Sequence, residues 1–136
     1  MFPTLYIIMA NDFFYKKLIA YQKAKEFIVY VYSLVQRFPS YEQYALCDQI
    51  RRAAVSIPSN IAEGMGRMAV KERIRFLEFA YGSLTEVTCQ LDIANSLGYI
   101  NEMELAKAEE LSVEVGRLMS GLRKSLIDKN NNINPE

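Results

Sequence analysis

The stretch IRFLEFAYGSLTEVTCQL, from Ile74 to Leu91, decides the fold. In it Ile74, Leu77, Tyr81, Leu84, Thr88 and Leu91 recur at alternating steps of three and four, which lines one side of a helix with a heptad-like apolar seam. Gly82 and Ser83 interrupt good helix formers, and the glycine costs roughly 1 kcal/mol of helix propensity. The expected compensation is a neighbouring backbone that approaches closely there. Gly98 stands where a helix ends on a left-handed residue. A long helix with an apolar seam needs other helices to cover it.

The flanking segments supply them. Upstream, Leu46, Ile50, Ala53, Ile57 and Ile61 keep the helical step, Ser40 with Gln43 reads as a capping-box start, and Gly64 and Gly66 are the stop. Pro58 falls inside this helix, where it removes a backbone donor and crowds the preceding turn, so a bend or a break is expected. Further upstream, Ala24, Phe27, Val31, Leu34 and Phe38 mark a helix within Tyr15–Phe38 that Pro39 ends. Its FIVYVYSLV run (Phe27–Val35) is apolar almost all round, so a second face needs cover, read here as a subunit interface. Downstream, Asn101 with Glu104 forms another capping box, and Leu105, Ala108, Leu111, Val115, Leu118, Leu122 and Leu126 carry a fourth helix to about Ile127.

The 136 residues therefore read as one all-α domain, an antiparallel up-down-up-down four-helix bundle with its second helix bent or broken near Pro58 and its first helix packed on its fourth. Residues 1–14 form an N-terminal extension, 15–127 the bundle and 128–136, DKNNNINPE at the end, a disordered polar tail. The opening MFPTLYIIMA lacks the basic start of a signal peptide and the length of a membrane span, and residues 1–8, ahead of Met9, read as an upstream start or a poorly ordered extension.

The chain has no histidine. That removes the commonest general base, the commonest transition-metal ligand, the serine and cysteine catalytic arrangements built on imidazole, and the Glu-x-x-His signature of di-iron bundles. No cofactor, metal, catalytic residue or small-molecule substrate is expected. Cys47 and Cys89 are isolated and read as buried thiols in a reducing cytoplasm. The polar residues Arg52, Ser56, Asn60 and Glu63 form one stripe on the second helix, and Ser83, Glu86 and Gln90 another on the third. Their expected role is a buried structural network, with Arg52 paired to Glu86; a ligand site using Arg52, Asn60, Glu63 and Glu86 is the minor reading.

Sixteen basic and sixteen acidic residues cancel, so no global field draws nucleic acid or an anionic membrane. Locally the balance is uneven. Residues 51–75 carry Arg51, Arg52, Arg67, Lys71, Arg73 and Arg75 against Glu63 and Glu72, while residues 76–115 carry Lys107 alone against eight acids. The basic group could contact phosphates, or form a solvated face with pairs to Glu72 and Glu78.

QIRRAAVSIPSNIAEGMGR (Gln49–Arg67) and FLEFAYGSLTEVTCQLDIA (Phe76–Ala94), with KLIAYQKAKEF and the FPSYEQYAL turn, resemble the four-helix-bundle proteins encoded in intervening sequences of bacterial 23S ribosomal RNA genes. The resemblance covers about residues 15–127. It implies a small cytoplasmic bacterial protein that assembles as a homopentameric ring. The family looks similar to the accessory proteins of diversity-generating retroelements, which bind nucleic acid through a basic surface and associate with a reverse transcriptase. From residues and resemblance together, the expected function is a non-enzymatic homo-oligomeric scaffold that binds RNA or a nucleic-acid-processing protein, with Arg51, Arg52, Arg67, Lys71, Arg73 and Arg75 as phosphate contacts. The alternative is a protein-interaction and assembly module without nucleic acid, presenting Glu102, Glu104, Glu109, Glu110 and Glu114 or an apolar groove.

Overall fold

The computed structural model describes residues 14–133; the reading of residues 1–13 and of 134–136 lies outside them. A turn of 3-10 helix, Phe14–Lys17, leads into α1 (Ile19–Val35), and a second, Ser40–Glu42, precedes α2 (Leu46–Met65). Next come α3 (Val70–Ser96) and α4 (Glu102–Ile133), and no strand occurs among the described residues. Each helix packs against its neighbours in sequence and α1 packs against α4, which closes the antiparallel bundle. Tyr30 fixes that last seam by donating its hydroxyl hydrogen to the Glu104 carbonyl at 3.0 Å.

The core follows the helical period. Ala24, Phe27, Val31 and Leu34 from α1, Ile50, Ala53, Ile57 and Ile61 from α2, and Leu105, Ala108, Val115 and Leu126 from α4 are all buried. On α3 the buried line is Leu77, Ala80, Leu84, Val87, Leu91 and Ala94. Tyr81, expected in the seam, is half exposed, because α3 packs between α2 and α4 and its core stripe is centred on Ala80, Val87 and Ala94.

Pro58 does not break α2, which is helical without interruption from Leu46 to Met65. An interior proline costs about 3 kcal/mol, but Ile57, Pro58 and Ile61 are all buried here, and packing of this face supplies most of a helix's stability. The Ser40 start is corrected: Ser40 opens a 3-10 turn with no side-chain cap, and α2 begins at Leu46. Gln43 instead donates its amide to the carbonyls of Phe38 and Val35 at 3.3 and 3.5 Å, closing the α1–α2 corner.

The other two terminal signals hold. Gly98 is left-handed at φ 80°, and the N–H of Tyr99 reaches back to the Ala94 carbonyl at 2.9 Å, a Schellman-type ending. Asn101 Oδ1 accepts from the Glu104 N–H at 2.8 Å while Glu104 accepts from the Asn101 N–H at 3.0 Å. The tail reading fails for residues 128–133, where α4 continues to Ile133. Once nucleated, a helix gains one bond per added residue, and the first breaker on this side is Pro135.

The close approach between helices is at Gly64, not Gly82. A Cβ on Gly64 would lie 2.8 Å from the Phe76 Cβ and 3.2 Å from the Arg73 carbonyl, whereas one on Gly82 would meet nothing within 4 Å. Gly64→Ala should therefore destabilise the protein by about 1–3 kcal/mol, the cost of overpacking. Gly82→Ala should stabilise it by up to about 1 kcal/mol through helix propensity. Urea unfolding of both variants gives the comparison, and equal midpoints would contradict it.

Candidate nucleic-acid interface

The two polar stripes meet at one point. Ser56 and Ser83 are hydrogen-bonded across α2 and α3, and Asn60 donates its amide to the Ser56 carbonyl at 2.8 Å. The Arg52–Glu86 pair is absent. Arg52 is exposed and holds Asp48 at 3.1 Å on its own helix, and Glu86 accepts from Gln90 at 3.3 Å. Glu63 is on the surface, 2.9 Å from Arg67. Gln90 is buried, with Oε1 unpartnered among the described residues. The stripes thus give one half-buried serine contact and a set of pairs within single helices or at their surface.

Cys47 is buried and held near the Val35 carbonyl at 3.7 Å, and burial pushes its thiol pKa up. Cys89, expected to be buried, is exposed. Among the described residues no three acidic or cysteine side chains gather closely enough to hold a metal, and none of the helices is long and apolar enough to cross a membrane. An open groove of about 320 Å³ between α3 and α4 is lined by Leu77, Tyr81 and Met119, with the Glu78–Arg123 pair among its walls.

The six basic residues singled out in the sequence divide between opposite ends of the bundle. Arg51 and Arg52 lie near the start of α2, where Arg51 donates to the Gln43 carbonyl at 2.8 Å. Arg67, Lys71, Arg73 and Arg75 lie around the α2–α3 turn, roughly 20 Å away at 1.5 Å of rise per residue. There Arg73 donates to the Arg67 carbonyl, and Arg75 stands 3.7 Å from Glu72. Lys71 is exposed and makes no ion pair among the described residues.

The fold adds cations to that turn which no local pattern marked. Gly116 faces Tyr81 and Arg123 pairs with Glu78 at 3.6 Å, so the last turns of α4 run beside the start of α3 and bring Arg123, Lys124 and Lys129 to the same end. The antiparallel course of α1 brings Lys16 and Lys17 there. Among the described residues, nine basic ones (Lys16, Lys17, Arg67, Lys71, Arg73, Arg75, Arg123, Lys124 and Lys129) thus stand at this end with four acids (Glu63, Glu72, Glu78 and Asp128). The opposite end sets seven acids (Glu42, Asp48, Asp92, Glu102, Glu104, Glu109 and Glu110) against Arg37, Arg51, Arg52 and Lys107. The described residues of a chain with zero net charge thus carry a charge dipole along the bundle axis.

Aromatic rings interleave with the basic end. The Arg67 guanidinium lies 4.7 Å from the Phe76 ring centre, and that of Arg75 lies 5.3 Å from Phe79. The two rings stand edge to face with centres 5.6 Å apart. At the acidic end the Tyr99 hydroxyl lies 3.1 Å from that of Tyr41 and donates its hydrogen to Glu42 at 2.8 Å, and these two bonds hold the Tyr99 pKa well above the ordinary tyrosine value.

Fold and charge together define a small helical-bundle protein whose described residues place a basic excess at one end and an acidic excess at the other. Residues 16–121 match the 23S rRNA-intervening sequence protein family, and the chain belongs to it. It is similar to a solved structure of a protein with unknown function from the S23 ribosomal protein family of Bacteroides thetaiotaomicron VPI-5482. That likeness has 25% identity and a TM-score of 0.70, and covers 78% of this chain and 99% of that one. None of the curated proteins matches it significantly.

Glu104 gives the electrostatics a direct check. The Asn101 N–H, and after it Arg37, hold its carboxyl below the usual carboxylate range despite partial burial. A depressed folded value means that the carboxylate's stabilising contribution is present at neutral pH and lost as pH falls through that value. Carboxyl NMR should show a low midpoint in the wild type. Arg37→Ala should raise it partway, since the Asn101 N–H remains, and an unmoved midpoint would exclude the Arg37 contribution.

Proposed function

We propose that this protein is a non-enzymatic, self-assembling scaffold that binds RNA phosphates with the basic end of its bundle. One observation carries the reading: among the described residues, nine cations from the first 3-10 turn, the α2–α3 turn, α3 and α4 converge against four anions at one end of a chain with no net charge. Phosphate binding releases counterions in proportion to the contacts made, so a local excess of this size is sufficient for salt-dependent binding. The candidate contacts are Arg67, Lys71, Arg73 and Arg75, joined by Arg123 and Lys124; Arg51 and Arg52 leave the set. The likeness to nucleic-acid-binding retroelement accessory proteins, read from the sequence motifs, points the same way.

Self-assembly is supported by apolar surface on two opposite sides. Tyr32 of α1 lies beside Val55 of α2, with Val29 one turn before it on α1, while Tyr81 of α3 lies beside Val113 of α4, all substantially exposed. Two unlike faces suit a head-to-tail contact, which closes into a ring when the rotation allows, and a homopentamer is the ring that the family resemblance implies.

A second reading rests on the acidic end, where Tyr41, Tyr44 and Met103 are all strongly exposed among the acids. That surface suits a basic protein partner. A complex recovered after nuclease treatment and dependent on Tyr44 would favour it.

Light scattering and fluorescence anisotropy on nuclease-treated protein test the first reading. The expected result is a stable oligomer that binds RNA, with the logarithm of affinity falling against the logarithm of salt at a slope of about −4, as six phosphate contacts on a single strand predict. The double reversal Lys71→Glu with Arg123→Glu should weaken binding at least about tenfold, whereas Lys107→Glu at the other end should not. Salt-independent binding, or none, would overturn the reading, and a monomer would overturn the assembly.

A further inference from the structure

We infer that the basic end recognises single-stranded rather than duplex RNA, by stacking unpaired bases on Phe79 and its guanidinium neighbours. This rests on the phosphate-binding reading and names its substrate class. The observation behind it is a built aromatic step inside the cationic patch. Phe76 is pressed against Gly64, whose missing Cβ makes room for it. Arg67 covers the Phe76 ring at 4.7 Å. Phe79, one turn further along α3, stands edge-on to Phe76 at 84° with Arg75 5.3 Å from its centre. Phe79 keeps 45% of its surface in solvent.

Neither Phe79 nor Arg75 is needed by the core. Phe79 lies outside the buried cluster, and Arg75 is satisfied on its own helix by Glu72. Stacking on aromatic rings and guanidinium planes is how proteins hold unpaired bases, and it tolerates any base because each has a π face. In a duplex those faces are already stacked, and only phosphates and 2′-hydroxyls are presented. Lys71 and Arg73 flank the step in sequence and supply backbone charge to either form. The discrimination therefore comes from Phe79, and the charge from its neighbours.

Anisotropy titrations of the full chain with a labelled 12-nucleotide single strand and with its duplex decide the matter. The single strand should bind at least about tenfold more tightly, and Phe79→Ala should lower that affinity about tenfold, within the range stacking supplies per base. The variant should leave duplex binding and the salt slope unchanged, and Phe79→Tyr should restore single-strand affinity. Because the chain has no tryptophan, Phe79→Trp is a second readout: its emission should be quenched by the single strand and not by the duplex. Equal affinity for both forms, or a Phe79→Ala variant that binds like wild type, overturns the inference and leaves the phosphate-binding reading standing. Absence of salt-dependent binding to either form removes that reading, and this inference with it.

Discussion

The close packing of α2 on α3 is the contact from which the rest of the molecule takes its register. Gly64 has no side chain where Phe76 and the Arg73 carbonyl come in, and a few turns away Ser56 and Ser83 share a hydrogen bond. Along these two helices the buried residues are small or branched: Ala53, Ala54 and Ile57 on α2, Ala80 and Val87 on α3. A Cβ at 64 has no void to enter, and close-packed interiors answer added volume by moving backbone. A shift of α3 would carry the α2–α3 turn with it and separate Arg67 from the Phe76 ring. The geometry of the basic end is therefore set by a helix contact inside the core.

Zero net charge conceals what that register does. Screening acts over about 8–10 Å at ordinary ionic strength, so a phosphate at one end of a bundle whose second helix alone is about 30 Å long does not sense the acids at the other. The relevant quantity is the local excess. Both ends hold paired cations: Arg37 and Arg52 are matched by Glu104 and Asp48, and Arg67, Arg75 and Arg123 by Glu63, Glu72 and Glu78. Lys71, at the basic end, makes no ion pair among the described residues.

Much of the bundle is legible in the sequence because period and termini are local properties. The apolar positions of all four helices, the Asn101–Glu104 box and the left-handed Gly98 follow from spacing and residue type. The failures share a cause: each depends on what lies across from the residue. Gly82 looked like the contact glycine because it interrupts the longest helix, yet Gly64, which also ends α2, is the one with a neighbour. Ser40 and Gln43 have the spacing of a capping box, but Gln43 is drawn to the end of α1. Proline at 58 is tolerated because its surroundings are buried. The basic end was half legible for the same reason. Arg67, Lys71, Arg73 and Arg75 are close in sequence around one turn, whereas Lys16, Lys17, Arg123, Lys124 and Lys129 join them only through topology, and Arg51 and Arg52 lie away from them near the start of α2.

Polarity along the bundle also bears on assembly. In a closed ring related by rotation every copy presents its basic end to the same rim if the bundles stand along the ring axis, and its acidic end to the other. A modest excess per copy then becomes a continuous cationic edge, and a flexible single strand engaged by one copy meets the next at high effective concentration. Two-fold pairing of antiparallel copies would instead set basic against acidic ends and cancel the field. The unlike apolar faces on the α1–α2 and α3–α4 sides favour the first arrangement, since an isologous dimer needs one self-complementary patch. Assembly through those sides would leave both ends of the bundle open, so the proposed oligomerisation and nucleic-acid binding would use separate surfaces and reinforce each other.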